Sequence, residues 1–296
     1  MYDRLLLKEI WVRINMPDPV TKTLFEHYPL LFTNFSGFLG NKTGNHTIFD
    51  PTLVRVTMVV GAPLNSGLRP VTITKNAATG DTIYLTYFAD EITSVRLSNP
   101  PIAGVSKFTT DNLSGCKVFV DKIGATNDLI LYHANAKAQS PPSNWGGVRP
   151  SYETPAAAQT LDALHANAVL GYAGAPHHLA PLVPVGSVNK PLYNQNANNL
   201  TQRKKDQGRL RAPQLNELPD PNRVDAPEFV GGTVVFGFYV IGSGWEIYYQ
   251  TWGDIEYKRP KTAVHAKRTM GPEHRAQDYK LVQFGRIYPF PFTRNL

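Results

Sequence analysis

The sequence predicts an α+β protein whose core is a β-sandwich of mainly antiparallel strands, with flanking helices and long loops. Three observations carry that expectation. Of 296 residues, 42% are hydrophobic and 11% aromatic, enough to bury a core, while only 18% are charged, against about 25% in an average soluble domain. The 23 Gly and 24 Pro residues suit many turns and short strands, and they exclude coiled coils, collagen and helical bundles. Finally, β-branched and aromatic runs of strand length recur between Gly, Asn and Pro clusters.

Residues 1–50 read as a mixed N-terminal segment packed on the core. Leu5 to Ile14 has the pattern of a short helix. Asp18-Pro19 is a cap and first turn for another, which ends before Pro29. Strands are predicted at Leu53–Val60, Pro70–Lys75, Thr82–Phe88, Thr93–Leu97, Cys116–Lys122 and Asp128–Ala134. The chain is then irregular to Tyr152. A helix follows, with Thr154 as cap, Pro155 in the first turn, and Ala157, Leu161, Leu164 and Ala168 on one face. Gly171 or Gly174 ends it. Residues 190–227 are rich in Asn, Gln, Arg and Pro and read as a long exposed loop. A hairpin closes the core: Thr233–Ile241, a Gly242-Ser243-Gly244 turn, and Trp245–Trp252. No linker divides the chain, so residues 1–296 are expected to form a single domain.

The formal charge of +7 and pI near 9.3 favour acidic partners: nucleic acid, an anionic membrane face or an acidic protein surface. The densest basic run is Arg203-Lys204-Lys205 with Arg209 and Arg211, and Lys258-Arg259, Lys261, Lys267 and Arg268 form a second. Both read first as solvated loop. Contact with an acidic protein or, weakly, an anionic membrane comes second. Nucleic acid is not expected, because no aromatics interleave for base stacking. No signal peptide or transmembrane span is recognised, and a monomer is expected. No cofactor is expected, since neither a Walker loop nor a dinucleotide fingerprint is present. No metal site is expected either, because His165, His177 and His178 lack a partner carboxylate at ligand spacing; His165 is placed near the surface of its helix. Trp145, Trp245, Trp252 and Tyr248 read as core or pocket wall.

The single cysteine, Cys116, excludes disulfides and Cys-rich zinc sites. A free cysteine often serves as a small apolar core group. Here, however, Gly115 precedes it and a polar run, Thr109 to Ser114, leads into its strand, which suggests a reachable thiol at a strand end. Register adds a partner. If Gly124–Asn127 is a four-residue loop, Ile123 faces Asp128 and Val118 faces His133. Cys116 then shares a face with His133 as a diagonal neighbour, about 7 Å away at the backbone. Such a pair could rest as thiolate and imidazolium. Thr110, Asp111, Ser114, Asn135 or a main-chain carbonyl could orient the imidazole.

Leu113-Ser114-Gly115-Cys116, with His133 in the next strand, resembles the signature of the cytotoxic necrotizing factor deamidases, shared by the dermonecrotic toxins and the Burkholderia lethal factor. A stand-alone domain of this kind would suit a cargo of a contractile injection system such as a Photorhabdus virulence cassette. The resemblance implies a toxin that is secreted or injected and acts in the host cytosol. In it, Cys116 attacks the carboxamide of a host glutamine, His133 moves the proton, and backbone N–H groups of Cys116 and Ser114 hold the oxyanion. Thr110, Ser114 and Asn135 are the orienting or oxyanion candidates among the side chains. The implied target is the switch glutamine of Rho-family GTPases, which orients the water that hydrolyses GTP. Alternatives are a translation-initiation helicase as target, transglutamination in place of hydrolysis, a cysteine protease, and a non-enzymatic β-sandwich binding module in which Cys116 only packs.

Overall fold

Strand formation follows the β-branched and aromatic runs; β4 alternates between buried and exposed positions, whereas β5, β7 and β9 are buried at every residue because both of their faces are covered. The computed structural model describes residues 19–33, 46–48, 54–64, 68–87, 91–113, 115–124, 126–135, 155–173, 181–189, 231–258 and 275–295. Within them the order is α1 (Pro19–His27), β1 (Leu30–Thr33), β2 (His46–Ile48), β3 (Arg55–Val60), β4 (Arg69–Lys75), β5 (Thr82–Leu85), β6 (Ile92–Leu97), β7 (Lys107–Thr110), β8 (Lys117–Ile123) and β9 (Leu129–Ala134). There follow α2 (Pro155–Ala173), β10 (Leu182–Val188), β11 (Gly231–Val240), β12 (Gly244–Lys258), β13 (Arg275–Tyr288) and β14 (Phe292–Asn295).

Two sheets result: a large one in the order β1-β4-β3-β5-β7-β11-β12-β13-β14 and a small one in the order β10-β8-β9-β6-β2. The pairs β1–β4, β5–β7 and β2–β6 are parallel, and the others are antiparallel. The protein is thus a β-rich α+β fold. Alternation sorts the side chains into layers. Ile83, Leu85, Phe108, Val235 and Ile247 of the large sheet join Val95, Val118, Val120, Leu129 and Leu131 of the small sheet in one core between them. Tyr84, Val234, Phe236 and Phe238 point to the opposite side and meet Phe25 of α1. On the far side of the small sheet, Phe119, Ile130, Tyr132 and Ala134 pack on Leu161 and Ala168 of α2.

The predicted helix after Asp18 and the helix beginning at Pro155 are both present, the second ending at Ala173 before Gly174. The predicted strands from Leu53 to Ala134 and the closing hairpin are present within a few residues, although β5 stops at Leu85 rather than Phe88. Trp245, Trp252 and Tyr248 are buried, as expected. Several strands were not anticipated. In β10, Pro184 and Gly186 disguise an edge strand that bulges between those residues. β7 reads as polar because it ends in two threonines, whose hydroxyls are buried and bonded to main-chain oxygens. β13 begins on a stretch that carries Arg275, Asp278 and Lys280 and reads as polar in the sequence, and β1, β2 and β14 are only three or four residues long. Leu5–Ile14, the segment before Tyr152, Thr154, Trp145 and residues 190–227 lie outside the described residues.

One buried polar residue ties α1 to the large sheet. The fully buried Gln250 donates through Nε2 to the Phe25 carbonyl at 2.6 Å and accepts the Leu30 N–H at 3.2 Å. Gln250→Leu strands both main-chain groups, so stability is expected to fall by about 2–3 kcal/mol. The check is a lower midpoint of denaturant unfolding at unchanged slope.

Candidate active site

The hairpin register matches the sequence expectation. Ile123 N–H donates to the Asp128 carbonyl at 2.9 Å, and Asn127 takes the left-handed φ of 59° that a tight return needs. Behind that turn, Lys122 faces Leu129, Val118 faces His133 and Lys117 faces Ala134. One step further out, Asn135 comes across from Cys116, and its Nδ2 donates to Cys116 Sγ at 3.2 Å. Cys116 and His133 therefore lie on one face, the interior one, because Cys116 and Val118 both belong to the core between the sheets.

On the other side of β9, β6 extends the pattern. Thr93 pairs with His133, and the Asn135 main-chain N–H donates to the Glu91 carbonyl at 2.9 Å. Two rows cross three strands. The outer row is Glu91, Asn135 and Cys116; the inner row is Thr93, His133 and Val118. The opposite wall follows the end of β5, where the Tyr87 ring, two residues past the strand, lies 5.4 Å from the His133 ring at a tilt of 40°.

The electrostatics differ from a resting ion pair. His133 is completely buried, and among the described residues no hydrogen bond of normal geometry reaches either ring nitrogen. Burial drives its imidazole down to about 3, and the main-chain carbonyl of Leu85 is the group that pulls the other way. An imidazole that burial keeps neutral does not supply the positive half of the expected thiolate–imidazolium pair, and the group that donates to the sulfur is Asn135 Nδ2. The thiol itself is 3% exposed, so the expectation of a reachable strand-end cysteine is also corrected: the large sheet closes over it. Tyr87, 39% exposed, is the shoulder between His133 and solvent.

Of the groups expected to orient the imidazole, Asn135 is instead brought onto the sulfur. Thr110 is buried in the large sheet, where its hydroxyl donates to the Asp111 carbonyl at 2.8 Å and accepts the Val235 N–H at 3.4 Å. Asp111 engages Tyr84 of the α1-side core; burial pushes its carboxyl up to about 6, with the Asn112 N–H and the Tyr84 hydroxyl pulling it back. Ser114 lies outside the described residues. Sequence reasoning missed Thr93, whose buried Oγ1 has no hydrogen-bond partner among the described residues, and with it Glu91 and Tyr87. No local signal points to them, because β6 and β9 pair across a long stretch of chain.

His165 is not at the helix surface. Its ring stacks on Phe119 at 4.0 Å, Nε2 lies 3.0 Å from Asp121 Oδ2, and the side chain is 13% exposed. It clamps α2 to the small sheet. Among the described residues, no three His, Cys, Asp or Glu side chains converge as a metal ion would require, and no helix is long and apolar enough to cross a membrane. His177, His178 and the basic residues 203–211 and 259–268 fall outside the described residues. No protein-family model matches the chain, and no curated protein matches it.

Proposed function

We propose that this protein is a protein-glutamine deamidase in which Cys116 is the nucleophile and His133 the general base, and that its substrate is the switch glutamine of host Rho-family GTPases. The observation that carries the reading is the placement of Cys116, His133 and Asn135 on one interior sheet face, with Asn135 Nδ2 on the sulfur. The Leu113-to-Cys116 signature supports it independently.

In this reading, Sγ attacks the carboxamide carbon as its proton passes to neutral His133. The imidazolium returns that proton to the departing nitrogen, so the C–N bond breaks, ammonia leaves and a thioester remains. His133 then takes a proton from water, whose oxygen attacks the thioester carbon. The C–S bond breaks, the glutamate carboxyl forms, and the proton returns to sulfur. The burial that lowers the proton affinity of His133 makes it a weak base in the closed site, so the cycle requires an opening that rehydrates the imidazole as well as exposing the sulfur. Burial of the thiol means that substrate must displace the Tyr87 side of the site before reaction. An amine in place of water would give transglutamination through the same thioester.

Incubation with purified RhoA, Rac and their relatives is expected to give an amide-to-acid mass shift on the switch glutamine and a GTPase that no longer hydrolyses its nucleotide. Unmodified glutamine on every one of them would remove the Rho assignment. The 3% exposure of Cys116 favours a second reading, a sandwich binding module in which the cysteine is packing. A thiol inert to iodoacetamide in the folded protein would select it.

A further inference from the structure

We infer that Asn135 is the residue that reads the substrate as a primary amide. The inference rests on the deamidase reading of Cys116 and deepens it. Asn135 carries a donor and an acceptor on one planar group, and the two ends have different surroundings. Nδ2 donates to Cys116 Sγ at 3.2 Å. Oδ1 is buried and has no hydrogen-bond partner among the described residues. A buried carbonyl oxygen left this way raises the free energy of the site until a donor arrives.

The substrate supplies that donor. Whatever carbon approaches Sγ must bring its substituents past the side chain already touching Sγ. A carboxamide carries two N–H donors; the carboxylate that replaces it carries only acceptors. Oδ1 therefore accepts an N–H of the incoming glutamine and repels the glutamate product, which favours amide over acid and speeds release. Meanwhile Nδ2 holds the sulfur. Asp would lose the donor and Ser or Thr would lose one of the two ends, so Asn is the residue type that fits both tasks. The main-chain bond from Asn135 N–H to the Glu91 carbonyl at 2.9 Å fixes the backbone from which the amide projects, so Asn135 meets the substrate from a set frame.

The test uses the full chain and two thiol reagents of the same size, iodoacetamide and iodoacetate, with the rates of Cys116 alkylation compared with those of N-acetylcysteine. The wild type is expected to prefer the amide reagent about tenfold more strongly than N-acetylcysteine does. The isosteric Asn135→Leu keeps the site filled and apolar, so the desolvation cost of the charged reagent stays in place and only the part of the preference owed to Oδ1 is lost; its ratio is expected to fall severalfold from the wild-type value. Asn135→Asp, which keeps an acceptor oxygen, is expected to hold the ratio at or above the wild-type value. Asn135→Ala, which also opens space, is expected to fall at least as far as Asn135→Leu. Equal ratios in wild type and in both apolar variants would overturn the role of Asn135 while leaving the deamidase reading intact. A wild-type thiol that neither reagent reaches would instead overturn the deamidase reading, and this inference with it.

Discussion

Cys116→Ser is expected to lower glutamine-to-glutamate conversion about a thousandfold or more while leaving the fold in place. Both halves follow from the site. The reaction requires a nucleophile that forms a thioester, and a serine hydroxyl beside an imidazole driven down to about 3 is too weakly activated to replace it. The fold survives because Ser is close in size and its oxygen can accept the Asn135 Nδ2 bond that Sγ now accepts at 3.2 Å. Burying the hydroxyl in the core between the sheets costs about 1 kcal/mol. Peptide mapping of the substrate and a thermal melt of the variant check the two halves separately. Full activity with Ser at this position would end the nucleophile assignment.

His133→Leu is expected to separate stability from activity. Wild-type His133 buries two ring nitrogens that no hydrogen bond of normal geometry satisfies among the described residues, the Leu85 carbonyl acting on the ring only weakly against burial, and that costs stability in the closed core. Leu fills similar space with no polar atom, so the variant should be more stable by about 1–2 kcal/mol near neutral pH and inactive. Acid makes the difference larger. The imidazole is lowered from 6.5 to about 3 in the fold, so between those values the unfolded chain binds more protons at this site than the folded one. Wild-type stability therefore falls as pH drops through the window, by up to about 1.4 kcal/mol per pH unit, and the Leu variant loses that dependence. Asp111 works against it: its carboxyl is raised from 3.8 to about 6, so across that range the folded state binds more protons and its contribution grows as pH falls. Because Asp111 is common to both proteins, the difference between their denaturation curves isolates His133. A variant less stable than wild type at every pH would identify His133 as a packing residue.

The parts of the fold that local chemistry dictates were legible in the sequence. The loop from Gly124 to Asn127 has an even length and a residue able to take positive φ, so Val118 had to face His133 and Cys116 had to share its side of the sheet. The Asp18-Pro19 start of α1 and the Thr233–Trp252 hairpin were equally local. Burial of the site was not legible. Whether a strand-end thiol is open depends on what the other sheet brings over it, and β5 and the residues just after it supply Leu85 and Tyr87 only through tertiary packing. Thr93 and Glu91 become neighbours of the hairpin only when β6 pairs with β9, a choice no periodicity in β6 announces. The neutrality of His133 follows from the same closure, because desolvation is the dominant cause of its low proton affinity.

The measurement that bears most directly on the Cys116–His133 assignment needs no choice of target. A host-cell lysate is treated with wild type, Cys116→Ser or His133→Leu, and glutamine-to-glutamate conversion is mapped across its proteins. One or a few glutamines, on Rho-family GTPases, are expected to be converted by the wild type and by neither variant. Identical maps for all three proteins would contradict the assignment.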